Sequence, residues 1–167
     1  MARETVTTYA ILKLLHVLSA MWLVSGLLGR AVALSSARRA PAIPILKAIA
    51  DVSGRLEMGM IAPGLFATIA TGIATAIVGG VSLFGPLGGG PLWVFVPVVL
   101  MLIAVVTTPL TLGHDRRWGE ALEDAAKRGV VTDRLRPFLD SRAMLKRYAP
   151  DITFAAVIVV LMALKPF

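Results

Sequence analysis

The sequence predicts an all-α polytopic membrane protein: four transmembrane helices in one antiparallel bundle, with a cytoplasmic amphipathic segment between helices 3 and 4. Three observations predict it. The 167 residues are 57% hydrophobic and 16% charged, where ordinary soluble domains carry about 25% charged residues. Apolar stretches near the roughly 20 residues that a bilayer crossing needs recur at about 9–30, 58–81, 92–112 and 151–167. Fourteen of the seventeen Lys and Arg fall in two segments, Arg30–Arg55 and Arg116–Arg147. With four crossings these two segments share one side, and the excess of positive charge in cytoplasmic loops then places both termini outside. A single integral membrane domain covers 1–167.

The first span, 9–30, organises the rest because it carries Lys13 and His16 within apolar surroundings. An ionisable group inside a span is costly and marks a functional candidate. At 100° per residue Tyr9, Lys13, His16, Ser19, Ala20, Leu23, Gly26 and Arg30 share one face, predicted to meet protein and not lipid. The run is too long for the apolar region of a signal peptide and ends at a basic cluster, so it reads as an uncleaved span.

Pro41 and Pro44 predict a loop over Arg30–Lys47, with the second helix starting near Ala48. Pro63–Gly64 predicts a kink. Two rows of small residues, Gly64/Thr68/Gly72/Ala76 and Ala67/Thr71/Thr75/Gly79, predict close approach to the first span. Leu83–Pro91 lacks both a Gly-Lys-Ser/Thr ending and a preceding strand, and reads as a hairpin turn. Span three follows with Trp93 at the interface. The polar stretch from His114 to Ala149 predicts a helix over Trp118–Arg128, capped by Asp115 and stopped by Gly129. A short helix from Thr132 or Asp133, interrupted at Pro137, is expected next, both lying on the membrane surface. Pro150 is expected to open the fourth span, with Asp151 in its first turn.

Function is less legible. The basic residues flank apolar spans and have few aromatic companions, which argues for a lipid bilayer and against nucleic acid as the partner. The chain has no Cys, so it supplies no disulfide, Cys-bound zinc or iron–sulfur cluster. No Ser/His/Asp triad, paired-histidine zinc motif or nucleotide motif is present. His16 and His114 are placed near opposite faces of the membrane, His16 about 10 Å below the outer surface, so they are not expected to share a metal. Three readings are open for His16: a hydrogen bond to a Thr or backbone carbonyl of span two, an axial bond to haem b with Met101, Met162 or nothing opposite, or a proton relay with Lys13. For Lys13, snorkelling outward is the cheaper assumption. Arg30, Arg55, Glu57 and Asp151 gather at the cytoplasmic interface, either as ion pairs that set helix depth or as a site for a carboxylated ligand or lipid headgroup.

Three stretches together carry a resemblance. LKLLHVLSAMWLVSGLLGR (12–30), RLEMGMIAPGLFATIATGIATAI (55–77) and APDITFAAVIVVLMALKPF (149–167) resemble the first, second and closing helices of the HemJ protoporphyrinogen oxidase family and of the related CopD-like group. They also resemble an uncharacterised family of predicted bacterial integral membrane proteins, DUF2269-like. The HemJ likeness implies that His16 is a haem-binding metal ligand and that Arg30 and Arg55 meet porphyrin propionates. It further implies a redox or porphyrin-related role in the bacterial inner membrane. If the chain is an enzyme, the implied reaction is protoporphyrinogen oxidation, yet the lysine of that family early in span three is replaced here by Trp93–Val94–Phe95. The rival expectation is a non-enzymatic accessory subunit of a larger membrane complex, or a homo-oligomer.

Overall fold

In the computed structural model, secondary structure is described for residues 2–37, 40, 42–139 and 141–164, and side chains for these except 2–5, 85–86, 107–112, 114–115, 141–148 and 151. All regular secondary structure among the described residues is helical, with no strand among them. Helix α1 spans Ala2–Ala37. Helix α2 (Ile43–Leu56) continues through a π-helical turn, Glu57–Ile61, into α3 (Ala62–Val78). A 3₁₀ turn at Gly85–Gly88 precedes α4 (Leu92–Arg128), followed by the short α5 (Arg136–Leu139) and by α6 (Ser141–Leu164).

Two helical stretches are long and apolar enough to cross a bilayer, Val6–Ala37 and Ile43–Val78, while Leu92–Val106 and Ile152–Leu164 are shorter apolar helices. Only 11% and 22% of the two long apolar windows are buried, the reverse of what the core helix of a soluble protein shows. Val6, Leu14, Met21 and Trp22 on α1, and Phe66 and Ile77 on α3, are exposed. Apolar side chains facing outward along whole helices are what hydrocarbon surroundings favour.

Helix ends depart from the predicted ones for identifiable reasons. The expected loop over Arg30–Lys47 shrinks to a few residues, because α1 continues past Arg30 and Pro44 lies in the first turn of α2. There its missing N–H has no intrahelical acceptor to lose, and the Ala42 carbonyl accepts from both Ile45 and Leu46 N–H. Asp115 is no cap: α4 runs through His114 to Arg128 without a break, so the segment predicted to lie on the membrane surface is a continuation of the third apolar helix. Gly129 does stop it, with φ at 69°. Pro137 falls within the single turn of α5, and Pro150 lies inside α6 and does not start it. Helix α3 closes in a Schellman turn: Gly80 takes φ 65°, its N–H reaches Ile77 O, and Val81 N–H reaches Ala76 O.

Helix α1 is the hub. It packs against α2, the π turn and α3 along its length and also touches α6, which in turn packs on α4; α2 packs on α4. Beyond the apolar spans, the extensions of α1, α2 and α4 converge on the most buried cluster of the described residues: Leu34, Ala37, Leu46, Trp118, Ala121, Leu122, Ala125 and Leu135. Ala125 and Leu135 are 0% exposed. Phe138 of α5 lies against this cluster, its ring 6.2 Å from that of Trp118. This helical cap is a soluble-type core, and it covers the apolar face that the sequence had assigned to the membrane surface.

Candidate functional site

Helices α1 and α3 run antiparallel in a register that repeats every seven residues of α1. Tyr9 lies over Gly79, His16 over Gly72, Leu23 over Gly64, and Arg30 pairs with Glu57. Three of the four partners are glycines because the backbones are close. A Cβ on Gly64 would stand 3.1 Å from the Leu23 Cα, and one on Gly72 would stand 2.9 Å from the His16 Cε1. Gly26 of α1 answers in kind, with Met60 and Ile61 against it. The predicted small-residue row Gly64/Thr68/Gly72/Ala76 is therefore the packing face, with Gly64, Thr68 and Ala76 buried.

Polar groups enter this apolar interface already satisfied. Thr68, Thr71 and Thr75 each donate their hydroxyl to the carbonyl four residues back, at 2.7, 2.6 and 2.7 Å, a standard way to carry a hydroxyl on a helix in lipid. Ser19 donates to the His16 carbonyl at 2.9 Å and lies 3.2 Å from the Thr71 hydroxyl. His16 joins the two helices: its Nδ1 is 3.1 Å from Thr68 O and 3.3 Å from Thr71 Oγ1. A carbonyl only accepts, so Nδ1 carries the proton and the other ring nitrogen, Nε2, keeps its lone pair. No hydrogen bond to Nε2 is present among the described residues.

That tautomer suits a metal. A ligating imidazole commonly donates its second N–H to a backbone carbonyl, which fixes the ring and raises its basicity. A metal-centred group bound here would be held through Nε2 of His16, with Thr68 O fixing the ring. No group of three or more His, Asp or Glu able to hold a bare metal ion occurs among the described residues.

The other sequence candidates do not gather around His16. Arg30 lies fourteen residues further along α1, about 21 Å at 1.5 Å per residue, and is paired with Glu57 in a partly buried setting. Arg55 is exposed at the end of α2, two residues before Glu57. Lys13 is exposed and lies off the stripe that meets α3, as snorkelling requires. The side chains of His114 and Asp151 lie outside the described residues. Sequence reasoning missed Ser19 as a bonded member of the site and missed the cap, whose only early signal was the apolar face of Trp118–Arg128.

A family model described as a predicted integral membrane protein (DUF2269) matches residues 10–166. Neither the curated proteins nor the solved structures contain a match.

Proposed function

The chain belongs to this family of predicted integral membrane proteins, and we propose that it crosses a bacterial inner membrane four times and binds haem b through Nε2 of His16, in a redox or porphyrin-related role. The crossings in this reading are α1, α3 with its π turn, the apolar part of α4, and α6, with both termini outside. Its support is the basic residues flanking the inner ends of the spans and the outward-facing apolar side chains.

One observation carries the haem reading: the Nδ1–H bond to the Thr68 carbonyl. This bond orients the ring and leaves Nε2 as a lone-pair donor in the outer half of the first span. Haem iron bound there would supply one-electron chemistry. Thr68 holds the tautomer, and Gly72, lacking a side chain, gives the ring its room. Arg30 and Arg55 lie too far along the helices to meet propionates of a haem at His16, so the assignment of those two residues by family likeness gains no support from their positions.

A non-enzymatic accessory subunit, packed against a larger membrane complex or a second copy, is the rival reading. It is favoured by the fact that both hydrogen bonds of the His16 ring link α1 to α3, which makes the imidazole a strut between helices. The experiment is an absorption spectrum of detergent-purified protein expressed with haem supplied. A Soret band is expected, abolished by His16→Ala and retained by His114→Ala. Colourless wild-type protein that is nonetheless more stable than His16→Ala would reject the haem reading and leave the strut.

A further inference from the structure

Charge is sorted by height at the foot of the cap. The apolar stretch of α1 ends at Leu28, that of α3 begins at Met58 and that of α4 ends at Leu112. At 1.5 Å per residue, Arg30, Arg55, Arg116 and Arg117 lie roughly 3 to 8 Å beyond those ends. Arg30 is neutralised by Glu57. Arg55, Arg116 and Arg117 are exposed and have no ion-pair or hydrogen-bond partner among the described residues. They stand on neighbouring helices, since α2 packs on α4.

Further out the pattern reverses. Lys127 pairs with Glu123, Arg128 with Asp124 and Arg136 with Asp133. Among the described side chains the nearest exposed acids, Asp51 and Glu120, lie about a turn beyond the arginines; the side chain of Asp115 lies outside the described residues. Lys47 and Arg134 are also exposed and unpaired among the described residues, but Lys47 stands eleven residues before Met58, roughly 16 Å past the span, and Arg134 lies in the turn that follows α4. Uncompensated positive charge is thus concentrated at the depth of lipid phosphates. Arginine is the side chain whose planar fork matches a phosphate, and an anionic leaflet attracts such groups within a Debye length.

We propose that Arg55, Arg116 and Arg117 form a collar that binds anionic phospholipid headgroups at the foot of the cap. The proposal rests on the membrane-crossing reading above, which sets the height of the collar. Its test uses the full chain in detergent, with native mass spectrometry reading retained phosphatidylglycerol against phosphatidylcholine of the same acyl chains. Preferential retention of phosphatidylglycerol is expected. R55Q/R116Q/R117Q should weaken it on the order of a hundredfold, from about fivefold per charge, while its unfolding temperature in detergent alone stays at the wild-type value. The single variant R55Q should give an intermediate loss if the triple variant is unstable, and K47Q/R134Q should retain wild-type selectivity.

Equal retention of the two lipids, or an equal loss in K47Q/R134Q, overturns the collar. Complete displacement of phosphatidylglycerol by inorganic phosphate also overturns it, because the site would then serve a soluble anion. Impermeant thiol labelling of Ser36→Cys and Asp133→Cys in intact cells reads orientation separately. Labelling from outside with lipid selectivity intact would reverse the topology and leave the collar. Shielded cysteines without lipid selectivity would remove the collar alone.

Discussion

A methyl group on Gly72 would stand 2.9 Å from Cε1 and 3.2 Å from Nδ1 of His16. The imidazole is short and bonded to Thr68, so it cannot yield without giving up that bond. Gly72→Ala is therefore expected to lower stability by about 1–3 kcal/mol, the usual range for overpacking. A Cβ on Gly54 in α2 would meet nothing within 4 Å, and Gly54→Ala should raise stability by up to about 1 kcal/mol through helix propensity. Thermal unfolding of both variants in one detergent checks the pair; equal midpoints would mean that His16 does not fill the space over Gly72. The stripe containing His16 was legible in the sequence because polar residues on an apolar span stand out. Lys13 was misplaced on it because contacts recur at Tyr9, His16, Leu23 and Arg30. A seam with a 3.5-residue repeat takes in position 12, and a straight projection at 100° per residue takes in position 13.

Between α2 and α3 the π turn at Glu57–Ile61 does what a kink at Pro63–Gly64 was expected to do. Proline lacks the N–H for the carbonyl four residues back and crowds it, and a widened turn just ahead relieves both. The turn also sets the rotation of α2 about α3, which brings Leu46 and Ser53 to buried positions. Inserting one alanine between Gly54 and Arg55, ahead of the π turn, would rotate the preceding part of α2 by about 100°, taking Leu46 out of the cap core. Limited proteolysis should then cut in the cap while the α1–α3 pair stays helical by circular dichroism. An unchanged cleavage pattern would show that the π turn does not set this alignment. Sequence pattern marked the proline but could not distinguish a kink from a π turn, which depends on what α2 packs against.

For the whole molecule, hydropathy revealed the apolar spans and the charge asymmetry, and it hid the cap. Leu34, Ala37 and Leu46 sit among basic residues and prolines, which locally signal a loop; only their convergence with Trp118, Ala125 and Leu135 makes them a core. The proposed orientation has a direct check. Ser36 is exposed on the cap, the Asp133 side chain is 95% exposed, and Leu87 is 90% exposed in the turn between α3 and α4. In intact cells an impermeant thiol reagent should label Leu87→Cys and spare Ser36→Cys and Asp133→Cys. The opposite pattern would invert the molecule.

Helix α1 contains 36 residues and no proline, so it is a rod of about 55 Å with one part among the apolar spans and the other in the cap. A rod without a joint acts as a lever. Spans adapt to a thinner or thicker bilayer by tilting, and a tilt of about 10° over a 55 Å rod displaces its far end by nearly 10 Å. The path through α2 and α3 differs, because its widened turn lies where the rod leaves the apolar layer. The stiff arm of α1 and the arm with a softer elbow share a single packed head, so a change in bilayer thickness would reach that head as a twisting strain.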